Sequence, residues 1–167
     1  MLEILKASVR LSPKLRIYVY SRFDTYGELF ENAVRETDGK IIMSEFVSHD
    51  EILRVYENSD VFINVGNLVK MQTPSKIFDY MSYSKPIVHF YSDNDDTSIK
   101  YFNEYKNVCY IDTNSDTFEM AKKLCDFCNN SIVLEPVSEL VTKPLLSRCT
   151  PSYATSLLLD ELQVNDK

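Results

Sequence analysis

The stretch "DVFINVGNLVKMQTPSKIFDYMSYSKPIVHF", from Asp60 to Phe90, decides the fold of this chain. It opens with an apolar run, Asp60 to Val65, that predicts a buried strand ending at a Gly66-Asn67 turn. A helix is predicted from Pro74 to Ser84, and "PIVHFY" (Pro86 to Tyr91) predicts a second buried strand. Strands joined through helices lie parallel, so we expect a sheet covered by helices.

The same alternation extends on both sides of this stretch. It predicts one domain over residues 1–167, an α/β fold in which an open parallel sheet carries helices on both faces. A final amphipathic helix is predicted at 151–163, and residues 131–150 have no clear assignment. The further predicted strands are 15–20, 40–47 and 107–112, and the further predicted helices are 26–36, 49–59, 96–105 and 115–130. Ser48 with Glu51 forms a capping box, and Ser115 is the predicted cap of the helix at 115–130.

Composition excludes several classes of protein. The 18 basic and 25 acidic residues give a formal net charge of -7. This charge argues against general nucleic-acid binding and against a polybasic membrane anchor. No apolar run approaches the roughly 20 residues that span a bilayer, and the first ten residues lack the features of a signal peptide. We therefore expect a cytoplasmic protein with no nucleic-acid partner and no transmembrane segment.

The cysteines and glycines exclude common ligand motifs. Cys125 and Cys128 form a lone CxxC inside a predicted helix, far from Cys109 and Cys149. Zinc requires four ligands and a redox CxxC opens a helix, so we interpret these thiols as packing residues. With three glycines the chain has neither a GxGxxG nor a Walker motif. Any bound phosphate must be held by other groups.

The helix predicted at Pro74 carries a polar pattern with two interpretations. Thr73 can cap it, and proline suits a first turn. Free first-turn amides, Ser75 and Lys76 could hold a phosphate, while Asp79 lies on the same face and could accept bonds from a sugar diol. These are the parts of a nucleotide site. The simpler alternative is a capped helix in which Lys76 is solvated and pairs with Asp79.

Phe46 to Phe90 resembles a known family. "EFVSHDEILRVYENSDVFINVGNLVKMQTPSKIFDYMSYSKPIVHF" is similar to the C-terminal, donor-binding domain of GT-B fold glycosyltransferases of the family 4-like group, whose pattern includes "PsK..eym..gkPiv". Weaker similarity extends from Leu15 to Asp112. The resemblance implies a Rossmann-like domain that binds a nucleotide-diphosphate sugar. It also implies a retaining, hexosyltransferase-like activity in glycan or polysaccharide biosynthesis, without a metal or a resident cofactor.

The resemblance also implies roles for individual residues. Asp79 falls at the position of the family's acidic residue that binds the ribose hydroxyls. Ser75 and Lys76 fall on the loop and helix start that face the diphosphate and sugar of the donor. Gly66 and Asn67 match the turn near the donor. The loop at Val47, Ser48 and His49 matches the region against the base.

The chain departs from the family pattern at three points. The first of two family glutamates, which contacts the donor sugar, falls at Met71, and Gln72 is the nearest polar substitute. The family's first strand and its acceptor-binding domain are both missing from this sequence. We therefore expect little activity without a partner domain or subunit, through which the protein could also lie at the inner membrane face.

Three hypotheses remain open at this point. The chain is the donor half of a transferase, a non-catalytic nucleotide-sugar module or subunit of a split transferase, or a structural domain that pairs through an incomplete sheet edge. Among other polar groups, we interpret His49 as structural or solvated rather than as a catalytic acid–base group, and His89 as a core histidine. We interpret the run Asp93, Asp95 and Asp96 as a solvated turn.

Overall fold

A computed structural model describes residues 1–22, 26–45, 47–67, 72–131, 136–153 and 155–156 of the chain. Within these ranges helices and strands alternate almost throughout. They are α1 (Leu2–Leu11), β1 (Ile17–Tyr20), α2 (Gly27–Glu36), β2 (Ile41–Ser44), α3 (His49–Asn58), β3 (Phe62–Val65), α4 (Lys76–Ser82), β4 (Ile87–Tyr91), α5 (Ser98–Tyr105), β5 (Val108–Asp112), α6 (Thr117–Ser131) and α7 (Glu139–Ser147).

The strands form two small parallel sheets flanked by helices, which confirms the predicted α/β class and its Rossmann-like character. β1 pairs with β2, and β3, β4 and β5 form a second sheet in that order. In the register of the second sheet, Phe62 lies opposite Ile87, and Ile87 lies opposite Val108. One continuous sheet was expected. It is divided because, in the described part of the chain, β1 and β3 are not hydrogen-bonded to each other.

Helices cover both faces of the three-stranded sheet, and each face has its own core. On one face α1, α2 and α6 pack on both sheets, and their cluster includes the fully buried Val9, Ile41 and Val88. On the other face α3, α4, α5 and α7 pack on the three-stranded sheet, around Ile77 and Phe102. The near-continuous apolar sequence of β4 follows from this burial on both sides.

The helix caps test the local predictions. Ser48 accepts a hydrogen bond from the backbone N–H of Glu51, as predicted for α3. The Ser115 prediction was wrong, because the Asp116 carboxylate accepts from the amides of Phe118 and Glu119 and begins α6. The Thr73 prediction was also wrong. The Thr73 hydroxyl bonds to the Thr97 hydroxyl, and the N-cap of α4 is Ser75, which makes no side-chain cap bond.

The region from 131 to 150, left unassigned by the sequence, contains α7. Its N-cap Ser138 accepts from the amide of Leu140, and the Val137 amide bonds to the Ser84 carbonyl. Of the closing helix predicted at 151–163, residues 151–153 and 155–156 are helical. Residue 154 and residues 157–167 lie outside the described residues.

The cysteines of the CxxC pack inside the domain. The Cys125 thiol donates a hydrogen bond of 3.2 Å to the Ser8 carbonyl of α1. Burial raises the pKa of the Cys128 thiol to about 12. Both thiols therefore stay protonated near neutral pH, as expected of packing residues.

Lys85 stabilises the end of α3. Its Nζ donates to the carbonyls of Tyr56, Glu57 and Ser59 at 2.8, 2.5 and 2.6 Å. Without a cation there, these helix-end carbonyls lose their partner. We expect Lys85→Met to lower the free energy of unfolding by about 1 to 2 kcal/mol in urea denaturation. Lys122→Met, which removes an exposed lysine of α6, is the control, and an equal loss in both variants would contradict the assignment.

Candidate functional site

An open cleft of about 450 Å³ lies where β3 ends and α4 begins, and we name it the β3–α4 cleft. This volume lies within the range of small-molecule sites. Ligands of open parallel sheets bind outside the carboxyl ends of the strands, which is where this cleft lies. Its lining consists of Ile63, Asn64, Val65, Gln72, Thr73, Pro74, Ser75, Lys76 and Tyr80.

Three of the residues predicted from the sequence line the β3–α4 cleft. They are Gln72, Ser75 and Lys76, and all three are exposed. The Lys76 Nζ donates a hydrogen bond of 3.4 Å to the Tyr56 hydroxyl. The predicted pair of Lys76 with Asp79 was wrong, since among the described residues these two side chains form no ion pair. The structure thus leaves a cation, a hydroxyl and an amide along one wall of an open cleft.

The start of α4 lies two residues later than predicted, at Lys76 with Ser75 as N-cap. The amide of Ile77 donates to the Pro74 carbonyl at 3.3 Å, and the amide of Phe78 donates to the Ser75 carbonyl at 3.1 Å. These two bonds span three residues and tighten the start of α4. α4 is also shorter than predicted, with 7 residues. Among the residues that line this cleft, Lys76 supplies the full positive charge for an anion.

The other predicted site residues lie around the cleft or away from it. Gly66 and Asn67 follow β3, and the Asn67 side-chain amide reaches the Gln72 carbonyl at 3.5 Å. Asp79 is exposed on α4 and does not line the cleft. Val47 and the exposed His49 lie at the start of α3, also outside the lining. Met71, where the family pattern has its first glutamate, lies outside the described residues.

A buried polar network supports the back wall of the cleft. Asn64, which lines the cleft, is only 5% exposed, and its side-chain nitrogen lies 2.9 Å from Nδ1 of the fully buried His89. The Nε2 of His89 lies 3.4 Å from Oδ2 of Asp96, whose side chain is also 5% exposed. Asp96 Oδ1 accepts from the amide of Ser98 and so caps the start of α5. The network links β3, β4 and α5.

The geometry of this network determines the form of the imidazole. A primary amide nitrogen only donates, so the Asn64 nitrogen requires Nδ1 of His89 to be an acceptor. The proton of the neutral ring then lies on Nε2, which faces the Asp96 carboxylate. Burial lowers the pKa of His89, against the opposing effects of Asp96 and Asn64. His89 is therefore neutral at pH 7, and it holds the side chain of Asn64, a residue of the cleft lining.

Tyr80 of the cleft lining belongs to a group of packed aromatic rings. Tyr80 lines the cleft and stacks on Phe62 at a centroid distance of 4.7 Å, while Tyr56 meets both rings edge-on. Burial raises the pKa of Tyr80 to about 12. The phenol therefore keeps its proton over the physiological range. The contacts favour packing as the first role of these rings.

The sequence alone missed part of this arrangement. His89 is a core histidine, as expected, but its partners Asn64 and Asp96 were not identified. The interpretation of Asp96 as a solvated turn residue was wrong, because its carboxylate turns inward to His89. The one available signal was a histidine in a run of buried apolar residues, since a buried imidazole needs hydrogen-bond partners.

The fold and the cleft together define an α/β protein whose parallel strands carry an open polar cleft at the carboxyl end of β3. No protein-family model matches the chain, and no curated protein matches it. In the described part of the chain, no helix has the length and apolar character needed to cross a membrane.

Proposed function

We propose that the chain is the donor-binding half of a glycosyltransferase and that the β3–α4 cleft binds a nucleotide-diphosphate sugar. The observation that carries the proposal is the cleft itself, which brings Lys76, Ser75, Gln72 and the buried Asn64 to the carboxyl end of a parallel strand. The resemblance of residues 46–90 to donor-binding domains supports the same ligand. The retaining stereochemistry and the role in polysaccharide biosynthesis are proposed by analogy with that family.

The chemistry divides into two parts. Lys76 and Ser75 offset the charge of the diphosphate and stabilise it as a leaving group when the bond to the anomeric carbon breaks. Asp79, one turn further along α4, accepts hydrogen bonds from the ribose hydroxyls. The acceptor is a glycan or a lipid-linked glycan, bound by a second domain or subunit. In this proposal the protein works in the cytoplasm. The domain or subunit that binds the acceptor can hold it at the inner face of the membrane.

A second candidate function is a nucleotide-sugar-binding module without catalytic activity. The cleft lining contains no carboxylate among the described residues, and Asp79 lies outside it. In the resembling family an acid contacts the donor sugar. A cleft with a cation and amides but no acid favours binding over transfer.

Calorimetric titration with UDP and GDP, alone and as nucleotide sugars, tests nucleotide binding. We expect one nucleotide series to bind. Lys76→Met removes a charged hydrogen bond worth about 1.5 to 3 kcal/mol, so the Kd should rise by about ten- to a hundredfold. Asp79→Ala should raise it by about tenfold. Binding by none of the ligands would overturn both candidate functions.

Matched variants on α6 provide the controls. Lys122→Met and Asp126→Ala remove an exposed lysine and an exposed aspartate far from the cleft in sequence and should leave the Kd unchanged. If they weaken binding as much as Lys76→Met and Asp79→Ala, the effect comes from net charge rather than from the cleft. Sugar transfer on addition of an acceptor-binding domain would favour the transferase, and binding without transfer would favour the module.

A further inference from the structure

The buried polar network behind the β3–α4 cleft is incompletely hydrogen-bonded. Among the described residues, the buried side-chain atoms without a hydrogen-bond partner are Nε2 of His89 and Oγ of Ser98. Oδ2 of Asp96 lies 3.4 Å from this Nε2, which is too far for a well-formed hydrogen bond. A buried donor that lacks a full partner costs free energy, so it calls for an explanation beyond packing.

Asp96 is the charged group that acts on the His89 ring. The rings that pack on it are those of Tyr91 in β4, Tyr110 in β5 and Phe102 in α5, at centroid distances of 6.2, 6.1 and 5.0 Å. Burial raises the pKa of Tyr110 to about 12, so its phenol stays neutral. The charged residues of α4 and α5 are exposed, and none of them shifts the pKa of His89; they are Lys76, Asp79, Lys100 and Glu104.

The donors and acceptors of the network allow two arrangements. With a neutral ring, the Asn64 side-chain nitrogen donates to Nδ1 of His89 at 2.9 Å. When the ring binds a second proton, Nδ1 also becomes a donor, and two donors then face each other. Half a turn of the Asn64 amide about its last bond brings the carbonyl oxygen to Nδ1 and restores the hydrogen bond. The amide oxygen and nitrogen have nearly the same size, so this rotation needs no new space.

Protonation also completes the other end of the network. An imidazolium Nε2–H next to the Asp96 carboxylate forms a charge-assisted contact, which is stronger than one from a neutral ring. Burial opposes this gain and lowers the pKa of His89. The neutral arrangement therefore holds at pH 7, and the second arrangement forms in acid.

We propose that His89 is a positioning residue that sets, through Asn64, which hydrogen bonds the β3–α4 cleft offers to a ligand. Asn64 lines the cleft, so the end of its amide that His89 does not hold is the end available there. With a neutral ring this end is the carbonyl oxygen, which accepts from a ligand hydroxyl. With a protonated ring it is the nitrogen, which only donates.

The ligand class follows from the neutral arrangement. A ligand that brings a hydroxyl group to Asn64, such as the ribose or the sugar of a nucleotide sugar, binds more tightly at neutral pH than in acid. This step rests on the proposed function of the cleft, whereas the rotation of the amide does not.

Calorimetric titration with UDP and GDP measures the consequence for the cleft. Between pH 7 and pH 5, the Kd of the wild type should rise by about fivefold more than that of His89→Gln, whose side chain does not titrate. The comparison cancels protonation of the nucleotide phosphates, which both proteins experience equally. Equal pH profiles in two proteins that bind would show that Asn64 does not contact the ligand. Binding by neither nucleotide at pH 7 would overturn the proposed function, and the NMR result below then decides the inference by itself.

NMR of the free protein tests the rotation without any ligand. At pH 7 the ring nitrogens of His89 should show the Nε2–H tautomer. NOEs should join the Asn64 side-chain N–H protons to Hε1 of His89, which lies beside Nδ1. As the pH is lowered from 7 to 4.5, these NOEs should disappear with the same midpoint as protonation of the ring. NOEs that persist on the protonated ring would overturn the proposal, and so would unfolding before the ring takes up its proton.

A pair of variants identifies the titrating group. In His89→Gln the Asn64 side-chain signals should no longer move with pH. In His49→Gln, which removes the other imidazole of the chain, they should move as in the wild type. Asn64 signals that still titrate in a folded His89→Gln variant would show that another group controls the amide, contrary to the proposal.

Discussion

Gly66→Ala should lower the free energy of unfolding by about 3 kcal/mol and disturb the β3–α4 cleft. A Cβ at this position would lie 2.1 Å from Oδ2 of Asp96 and 3.1 Å from the carbonyl oxygen of Phe90. The carboxylate cannot easily withdraw, because its other oxygen caps α5 and it lies beside the buried His89. Urea denaturation measures the loss, and the exchange rate of the Ser98 amide reports on the cap.

Two further variants separate this clash from the general cost of replacing a glycine. Gly39→Ala meets no atom within 4 Å but has a φ of +70°, so it should cost only about 1 kcal/mol from backbone strain. In an Asp96→Ala background the obstructing carboxylate is absent, and Gly66→Ala should cost much less than in the wild type. Additive losses in the double variant would show that Asp96 is not what excludes a side chain at Gly66.

The elements that the sequence predicted well are those that depend on residues close together in the sequence. The apolar runs of β3 and β4 and the Ser48 cap of α3 involve residues within a few positions of one another, so pattern and spacing were sufficient. The Asp116 cap was missed by one residue, because a serine and an aspartate stand side by side and both can accept first-turn amides.

The parts that the sequence did not predict depend on how the strands align when they pair. Asn64 and His89 are 25 residues apart and meet because β3 and β4 pair with these two residues as direct neighbours. Asp96 lies in a run with two other aspartates. Its carboxylate faces inward because of where the turn after β4 lies, which the sequence pattern does not show. The division of the sheet depends on which strand edges remain free, which no local pattern records.

The stability of the protein should fall as the pH decreases below about 6.5, because of His89. Burial lowers the pKa of the folded imidazole below its ordinary value of 6.5. Between these two values the unfolded chain binds more protons than the folded one, so the free energy of unfolding rises with pH in this window. The contribution is complete above about pH 6.5. It is lost with a slope of up to about 1.4 kcal/mol per pH unit as the pH falls.

The two histidines of the chain provide a matched test of whether His89 causes this pH dependence of stability. His89→Gln keeps an acceptor for Asn64 and a donor for Asp96 but does not titrate, whereas His49→Gln removes an exposed imidazole at the start of α3. Urea denaturation of each variant at pH 7, 6 and 5 gives its stability relative to the wild type. The advantage of the wild type over His89→Gln should shrink as the pH falls, and His49→Gln controls for the loss of a histidine side chain elsewhere in the chain. If the difference for His89→Gln is flat over this range, protonation of the ring is not coupled to folding. The Asn64 amide would then be held by a network that does not depend on the charge state of His89.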